Sequence, residues 1–383
     1  ACVSVSDISD ATIAAVAERA VAMAREAPQD PWAGLADPSQ LAQDRDATAL
    51  QLCDSAPEVS AAALEDDARR AEAAAMAVQG ITQVEASASQ SRRRIHLAAS
   101  NGFAGGYMRS SRSVSAVAFA GEGSGMERDW AAEGRIFATD LPGADEIGTL
   151  AAERALARLG ARKPRTGTFP VLYDERISAG LIGHLLGAVN GSAITRGSSW
   201  LRDALGTQVL PIGLSVIEDP HRARVGGSRL FDSEGLATTR RAIVENGLLT
   251  GWVLDLASAR KLGLQSTANA ARGTSAPPSP GTSNIDLTPG TATRADLIAQ
   301  MGTGLLVTSL IGSSINPTTG DYSRGASGFW VENGEITHAV NECTIAGNLR
   351  DMLMRIIPAN DARAHMSTRV PSLLIEGLTI AGE

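Results

Sequence analysis

Between residues 81 and 132 apolar and polar side chains alternate with a period of two, and this stretch constrains the fold more than any other. Residues 81–87, 93–99, 106–111, 114–120 and 126–132 each read as a short strand with one buried face. Turn pairs such as Asn101-Gly102 separate them, which predicts an antiparallel meander. Helical patterns flank the block. Ser9 is placed to cap residues 10–26, an Ala-rich helix runs from about 58 to 77 and stops at Gly80, and residues 144–159 stop at Gly160. Residues 1–6 alternate like one more strand. Strands and helices arrive in blocks, so the expectation is an α+β fold, not a parallel βαβ sheet.

The basic stretch 161–167, with Pro164 and Gly167, separates this pattern from a second one. Two domains follow, 1–165 with an antiparallel sheet and long helices, and 166–383 mostly β with a few helices. The second half opens on strand 169–173 and an apolar helix, 176–189. Strands are expected at 209–218, 241–245 and 248–254, the last two joined across Asn246-Gly247, with a helical fragment at 258–262. Residues 265–283 are rich in Ser, Thr, Ala, Pro and Gly and read either as a linker or as a binding loop. Helix 294–301, strand 305–311, hairpin 328–339 around Asn333-Gly334, helix 345–356 and strand 372–380 complete the reading.

Charge narrows the function. The net charge of −8 and pI near 5.3 oppose a nucleic-acid footprint, which needs clustered basic side chains. The run Arg92 to Arg94 is short and lies on an alternating strand face. No apolar run approaches the roughly 18–20 residues a membrane helix requires, and no basic–apolar leader opens the chain. Cys2, Cys53 and Cys343 are too widely spaced for a disulfide framework or a zinc ribbon, which suits a reducing cytoplasm.

Familiar catalytic motifs are missing: there is no G-x-S-x-G elbow, no phosphate-binding Walker loop and no His-Glu-x-x-His. Gly121-Glu122-Gly123 sits between antiparallel strands, out of context for a dinucleotide. The histidines His96, His184, His221, His338 and His365 are scattered, and only His184 lies on a strongly apolar helix. A zinc set of His184, His338 and Cys343 is chemically conceivable but no spacing supports it. Cys343 reads as a small buried apolar residue. In Gly320-Asp-Tyr-Ser-Arg-Gly-Ala-Ser-Gly-Phe-Trp-Val-Glu-Asn-Gly334, glycines alternate with Tyr322, Arg324 and Trp330. Such a pattern marks either backbone approached closely by a ligand or another chain, or a structural bulge.

This segment resembles the signature of the TldD/PmbA metallopeptidase family in its PmbA (TldE) branch. The same branch is echoed by Phe231-Asp-Ser-Glu-Gly235, Ser258-Ala-Arg-Lys-Leu-Gly263, residues 342–352, Asp30-Pro-Trp-Ala-Gly34 and Gly125-Met-Glu-Arg-Asp129, in one order along essentially the whole chain. Active members of that family carry His-Glu-x-x-x-His on a helix and a later cysteine, which hold zinc and activate water. Matched to residues 177–187, the motif puts Ala179 and Gly180 where its first His and Glu would stand and leaves His184 alone; Val370 falls about where the cysteine would be. The resemblance therefore implies a chain with no cofactor of its own. It would be the metal-free partner of a zinc-bearing TldD-like subunit in a cytoplasmic heterodimer that cleaves short or unfolded peptides. Asn284 in the Pro-rich loop with Thr282 and Ser283, and Tyr322, Ser323, Arg324 and Trp330 in the signature, are candidates for peptide or interface contact. Two other readings stay open: a peptide-binding scaffold homodimer without proteolysis, and an independent enzyme working around Tyr322, Arg324 and Cys343. Relatives carry further elements before the segment resembling residues 1–6, so the first sheet is expected to be incomplete here.

Overall fold

The structure is a computed structural model that describes residues 1–382, with every side chain except that of Ser313; residue 383, the last of the expected second domain, lies outside the described residues. Residues 1–6 form no strand, in contrast to the sequence expectation. No neighbouring strand accepts their hydrogen bonds, and an isolated strand cannot hold itself together in water. Helix α1 (Asp10–Glu26) follows, with the Ser9 hydroxyl accepting from the Thr12 amide at 3.4 Å and no buried residue along its length.

The five short strands expected between 81 and 132 are three long ones, β1 (Ile81–Ala98), β2 (Ala104–Ala120) and β3 (Glu127–Arg135), antiparallel in the order β1-β2-β3. The polar residues that seemed to interrupt the pattern continue it. Ser87, Ser89 and Ser91 face Ser115, Ser113 and Ser111 across the pair, with hydroxyls 2.8–2.9 Å apart. On the opposite face Val84, Ala86, Ala88, Val114, Ala116 and Ala118 pack under α2 (Ala61–Met76) and α3 (Ala144–Ala157). Alanine contacts let the two helices approach until a Cβ added at Gly148 would stand 2.0 Å from the Ala71 carbonyl oxygen. Only glycine fits that crossing.

The second half is built on β4 (Gly167–Tyr173), followed by α4 (Glu175–Ala188) and the short α5 (Gly191–Arg196). A small sheet contains β5 (Val216–Glu218), β6 (Arg241–Glu245) and β7 (Leu248–Leu249), so the strands expected at 209–218 and 248–254 are much shorter than their apolar patterns. After α6 (Leu256–Leu262), the Pro-rich segment is tied down by the pair β8 (Ala270–Ala271) and β9 (Ser279–Pro280). Buried Glu218 helps to pin it, accepting from the Asn269 amide at 2.8 Å and the Ser283 backbone at 2.7 Å. The segment is therefore an anchored loop with an exposed tip, not a linker. β10 (Ile285–Leu287) and α7 (Arg294–Met301) lead into β11 (Gly304–Ile315), β12 (Asp321–Glu332) and β13 (Glu335–Asn348), then α8 (Leu349–Leu353), β14 (Ile356–Pro358), β15 (Thr368–Arg369) and β16 (Leu373–Ala381).

The order β13-β12-β11-β4-β16 closes on itself, because Thr344, Ile345 and Ala346 of β13 pair with Ala381, Ile380 and Thr379 of β16. A closed ring leaves no free edge among these strands. The closure also overturns the helix expected at 345–356. Its first residues are strand, hydrogen-bonded on both sides, and only Leu349–Leu353 is helical. Helix α4 packs against the barrel, with Leu181, Ile182 and Leu185 in one core with Tyr173, Tyr322, Ala326 and Trp330. The molecule is α+β, as its sequence pattern implies.

Candidate functional site

Helix α4 starts directly where β4 ends, because Asp174 at its N-cap accepts from the Arg176 amide at 3.1 Å. An ion network fixes this end to the first sheet. Arg176 Nη1 lies 3.0 Å from Asp129 on β3 and its Nε 3.2 Å from Asp174, while Arg158 approaches Asp129 at 3.5 Å and Arg294 approaches Asp174 at 2.8 Å.

One turn further on, Ala179 lines a cavity of about 550 Å³. Val370 lines the same cavity, brought there by a hydrogen bond from the Ser178 hydroxyl to its carbonyl at 3.3 Å. The opposite wall is the serine face of the first sheet, with Ser113, Ser115 and Trp130. Charged groups rim the space. Glu133 pairs with Arg363 at 3.2 Å and with His365 at 3.3 Å, Glu175 stands 3.8 Å from Arg363, and Arg154 donates to the Trp130 carbonyl at 3.0 Å. Burial raises the Glu175 carboxyl above the ordinary range, opposed by Arg363, and burial also lowers the His365 imidazole. Sequence patterns do not group this rim: its members come from β3, α3, α4 and the segment before β15, and none belongs to a local motif.

His184 lines a different cavity, of about 350 Å³, with Gly183, Arg196 and Trp200. The separation has a geometric cause. Residues 175–188 form an uninterrupted α-helix, and positions five apart on such a helix stand about 140° apart around its axis. Residues 179 and 184 thus face different spaces. The His184 ring meets Tyr322 edge-on at 5.9 Å, and Tyr173 donates to the Tyr322 hydroxyl at 3.5 Å. Burial, then the charge of Arg324, lowers the His184 imidazole below its usual range, and burial raises both tyrosine hydroxyls.

The other singled-out residues are dispersed. Asn284 is fully buried and its amide donates to the Asp219 carbonyl at 2.8 Å and to Ser228 Oγ at 2.7 Å. Trp330 is buried, stacks edge-on with Phe169 at 5.0 Å and donates from its indole to Glu332 at 3.0 Å. Half-buried Ser323 faces Ser314 across β11 and β12. The Cys343 thiol contacts the Ala326 carbonyl at 3.3 Å, and burial pushes it up to about 11, so at neutral pH it is the weakly nucleophilic thiol.

A closed barrel is thus joined to a helix-covered sheet, with a helix end and a strand meeting at a hydroxyl-walled cavity. The sequence profile of the PmbA/TldA metallopeptidase C-terminal domain matches residues 166–382, and that of the central domain matches 54–159. The chain belongs to the PmbA/TldD metallopeptidase family. It is 39% identical to metalloprotease PmbA of Escherichia coli O157:H7, over 99% of this chain and 82% of that protein. A Bacteroides thetaiotaomicron protein, named as a candidate modulator of DNA gyrase, superposes with a TM-score of 0.89 at 30% identity, over all of this chain and 85% of that one. TldE of Thermococcus kodakarensis shares the fold, with a TM-score of 0.81 at 21% identity over 99% of this chain and 86% of that one.

The residues present do not fit the zinc that active members of the family hold. The methyl of Ala179, the hydrogen of Gly180 and the isopropyl of Val370 offer no donor atom. Among the described residues no three His, Cys, Asp or Glu side chains converge to hold a metal ion.

Proposed function

We propose that this chain is the metal-free partner subunit of a two-subunit zinc metallopeptidase that acts on short or unfolded peptides, its partner being a zinc-bearing TldD-like chain. What supports the proposal is the donor set on α4: matched to the family motif, Ala179 and Gly180 fall at the expected ligand and general-base positions, and Ala179 shares its cavity with Val370 while His184 lines another. Without a metal-bound water this cavity has no activated nucleophile. Its hydroxyl and apolar walls still suit an extended peptide, whose backbone offers both donors and acceptors. The chain's part in the reaction is then to shape and enclose the space in which the partner cleaves. The unpaired thiols of Cys2, Cys53 and Cys343 suit the cytoplasm, and the acidic balance leaves nucleic acid out of the reading. No described helix is long and apolar enough to cross a membrane.

The test is zinc content and peptide hydrolysis of the isolated chain, of a TldD-like subunit from the same source, and of the two mixed. Zinc and cleavage that appear only when the partner is present support the proposal. One zinc per isolated chain, or chelator-sensitive cleavage by it, overturns it.

A further inference from the structure

The second cavity, beside His184, is lined by one arginine, Arg196, that has no protein partner among the described residues. Its floor is the glycine face of α4, where a Cβ added at Gly183 or Gly187 would meet nothing within 4 Å. Trp200 forms an apolar wall, buried to 3% exposure and fixed by its amide donating to the Pro317 carbonyl at 2.9 Å. Arg196 lines the pocket from α5, exposed and with no side-chain hydrogen bond or ion pair among the described residues. From the barrel side Arg324 stands two residues beyond Tyr322 on the same face of β12, and the Tyr322 ring meets His184 at 5.9 Å. The Arg324 Nε is buried without a hydrogen-bond partner, and its guanidinium makes no ion pair among the described residues. Arg350 is not part of the lining and lies over the Trp200 ring at 5.8 Å. Asp321 at the nearby turn is already held by Thr319 at 2.6 Å and Asn348 at 3.1 Å.

A chain of net charge −8 has carboxylates to spare, yet Arg196, which lines the pocket, and Arg324, beside it, are paired with none among the described residues. A buried guanidinium nitrogen left unpaired is costly, and a carboxylate is the planar anion that its fork matches. The volume of about 350 Å³ lies within the range of small-ligand sites and admits a side chain beside that anion. We infer that this pocket binds the C-terminal carboxylate of a peptide, with Arg196 and Arg324 gripping the carboxylate and the apolar wall of Trp200 receiving the terminal side chain. The choice of a peptide as the body of the ligand rests on the proposed function; the preference for a carboxylate does not.

The test uses the chain alone, without partner or zinc, so that it can fail or succeed independently of the silent-subunit proposal. Acetyl-Gly-Gly-Leu with a free carboxylate, its C-terminal amide, and acetate are titrated calorimetrically into the protein. The free acid is expected to bind at least about tenfold more tightly than the amide, the discrimination that one charge-assisted hydrogen bond supports. Arg196→Gln, an exposed position whose loss leaves the core intact, and Arg324→Gln, checked for folding by circular dichroism, should each weaken the acid about tenfold and leave the amide unchanged. Arg202→Gln, which removes an exposed pair with Asp203, should change neither. Equal affinity for acid and amide, acetate binding as tightly as the peptide, no detectable binding of the acid, or an unaltered Arg196→Gln variant would each overturn the inference.

Discussion

Replacing Arg176 by Met should loosen the joint between the first sheet and α4 more than any surface change could. Arg176 is 7% exposed and sits between Asp129, 6% exposed, and Asp174, 7% exposed. Methionine preserves most of the apolar stem and removes the charge, so two buried carboxylates lose a partner. Breaking a buried pair from one side costs about 3–5 kcal/mol. Each carboxylate keeps another arginine, Arg158 at 3.5 Å and Arg294 at 2.8 Å, which puts the expected loss at the lower end, about 3 kcal/mol. With an unfolding entropy of about 2.1 cal/mol/K per residue, the chain of 383 residues should melt about 4 °C lower if it unfolds as one unit. Differential scanning calorimetry reads this directly. Adding Asp129→Asn to Arg176→Met should cost less than the sum of the single changes, because the two residues are direct partners and their shared interaction is lost only once. A melting point lowered by less than about 1 °C, or strictly additive effects, would show that the network contributes nothing net to the joint.

Two further outcomes follow from the site geometry and from a buried carboxyl. Introducing donors with Ala179→His, Gly180→Glu and Val370→Cys should give well under one zinc per chain by elemental analysis, because a regular α4 turns residue 184 away from 179. Stoichiometric zinc would mean that the helix rearranges to accept metal. Burial, with Asp232 and Asp255 nearby, raises Glu234 from 4.5 to about 7. A carboxyl with a raised folded value contributes stability that is complete below its unfolded value and lost as pH climbs through about 7. Glu234→Gln should therefore flatten the decline in stability between acidic and mildly alkaline pH. At pH 8 it should exceed the parent by at most about 3 kcal/mol, less whatever solvent screening removes. Parallel urea-denaturation curves for parent and variant at both ends of the range would count against a strained Glu234.

What the sequence determined by itself is what depends on near neighbours. The alternation of Ser87, Ser89 and Ser91 with Ala86 and Ala88 sets which face of β1 is polar, although the polar stretch obscured that the strand is continuous. Ser9 announces a helix start, since a cap acts within a single turn. That Ala179, Gly180 and Val370 carry no donor atom is a property of the residues themselves and needs no geometry. Tertiary structure decided the rest. Residues 345 and 346 read as the start of a helix from their own pattern and became strand because β16, more than thirty residues later, supplies hydrogen bonds that close the barrel. Glu133, Arg154, Glu175 and Arg363 meet around one cavity only because sheet, helix and loop are folded together. The division of α4 between two cavities, with Ala179 on one and His184 on the other, follows from where the barrel and the serine face stand around it. Local propensity is written residue by residue, whereas burial, charge pairing and ring closure belong to contacts between segments that the order of residues does not bring side by side.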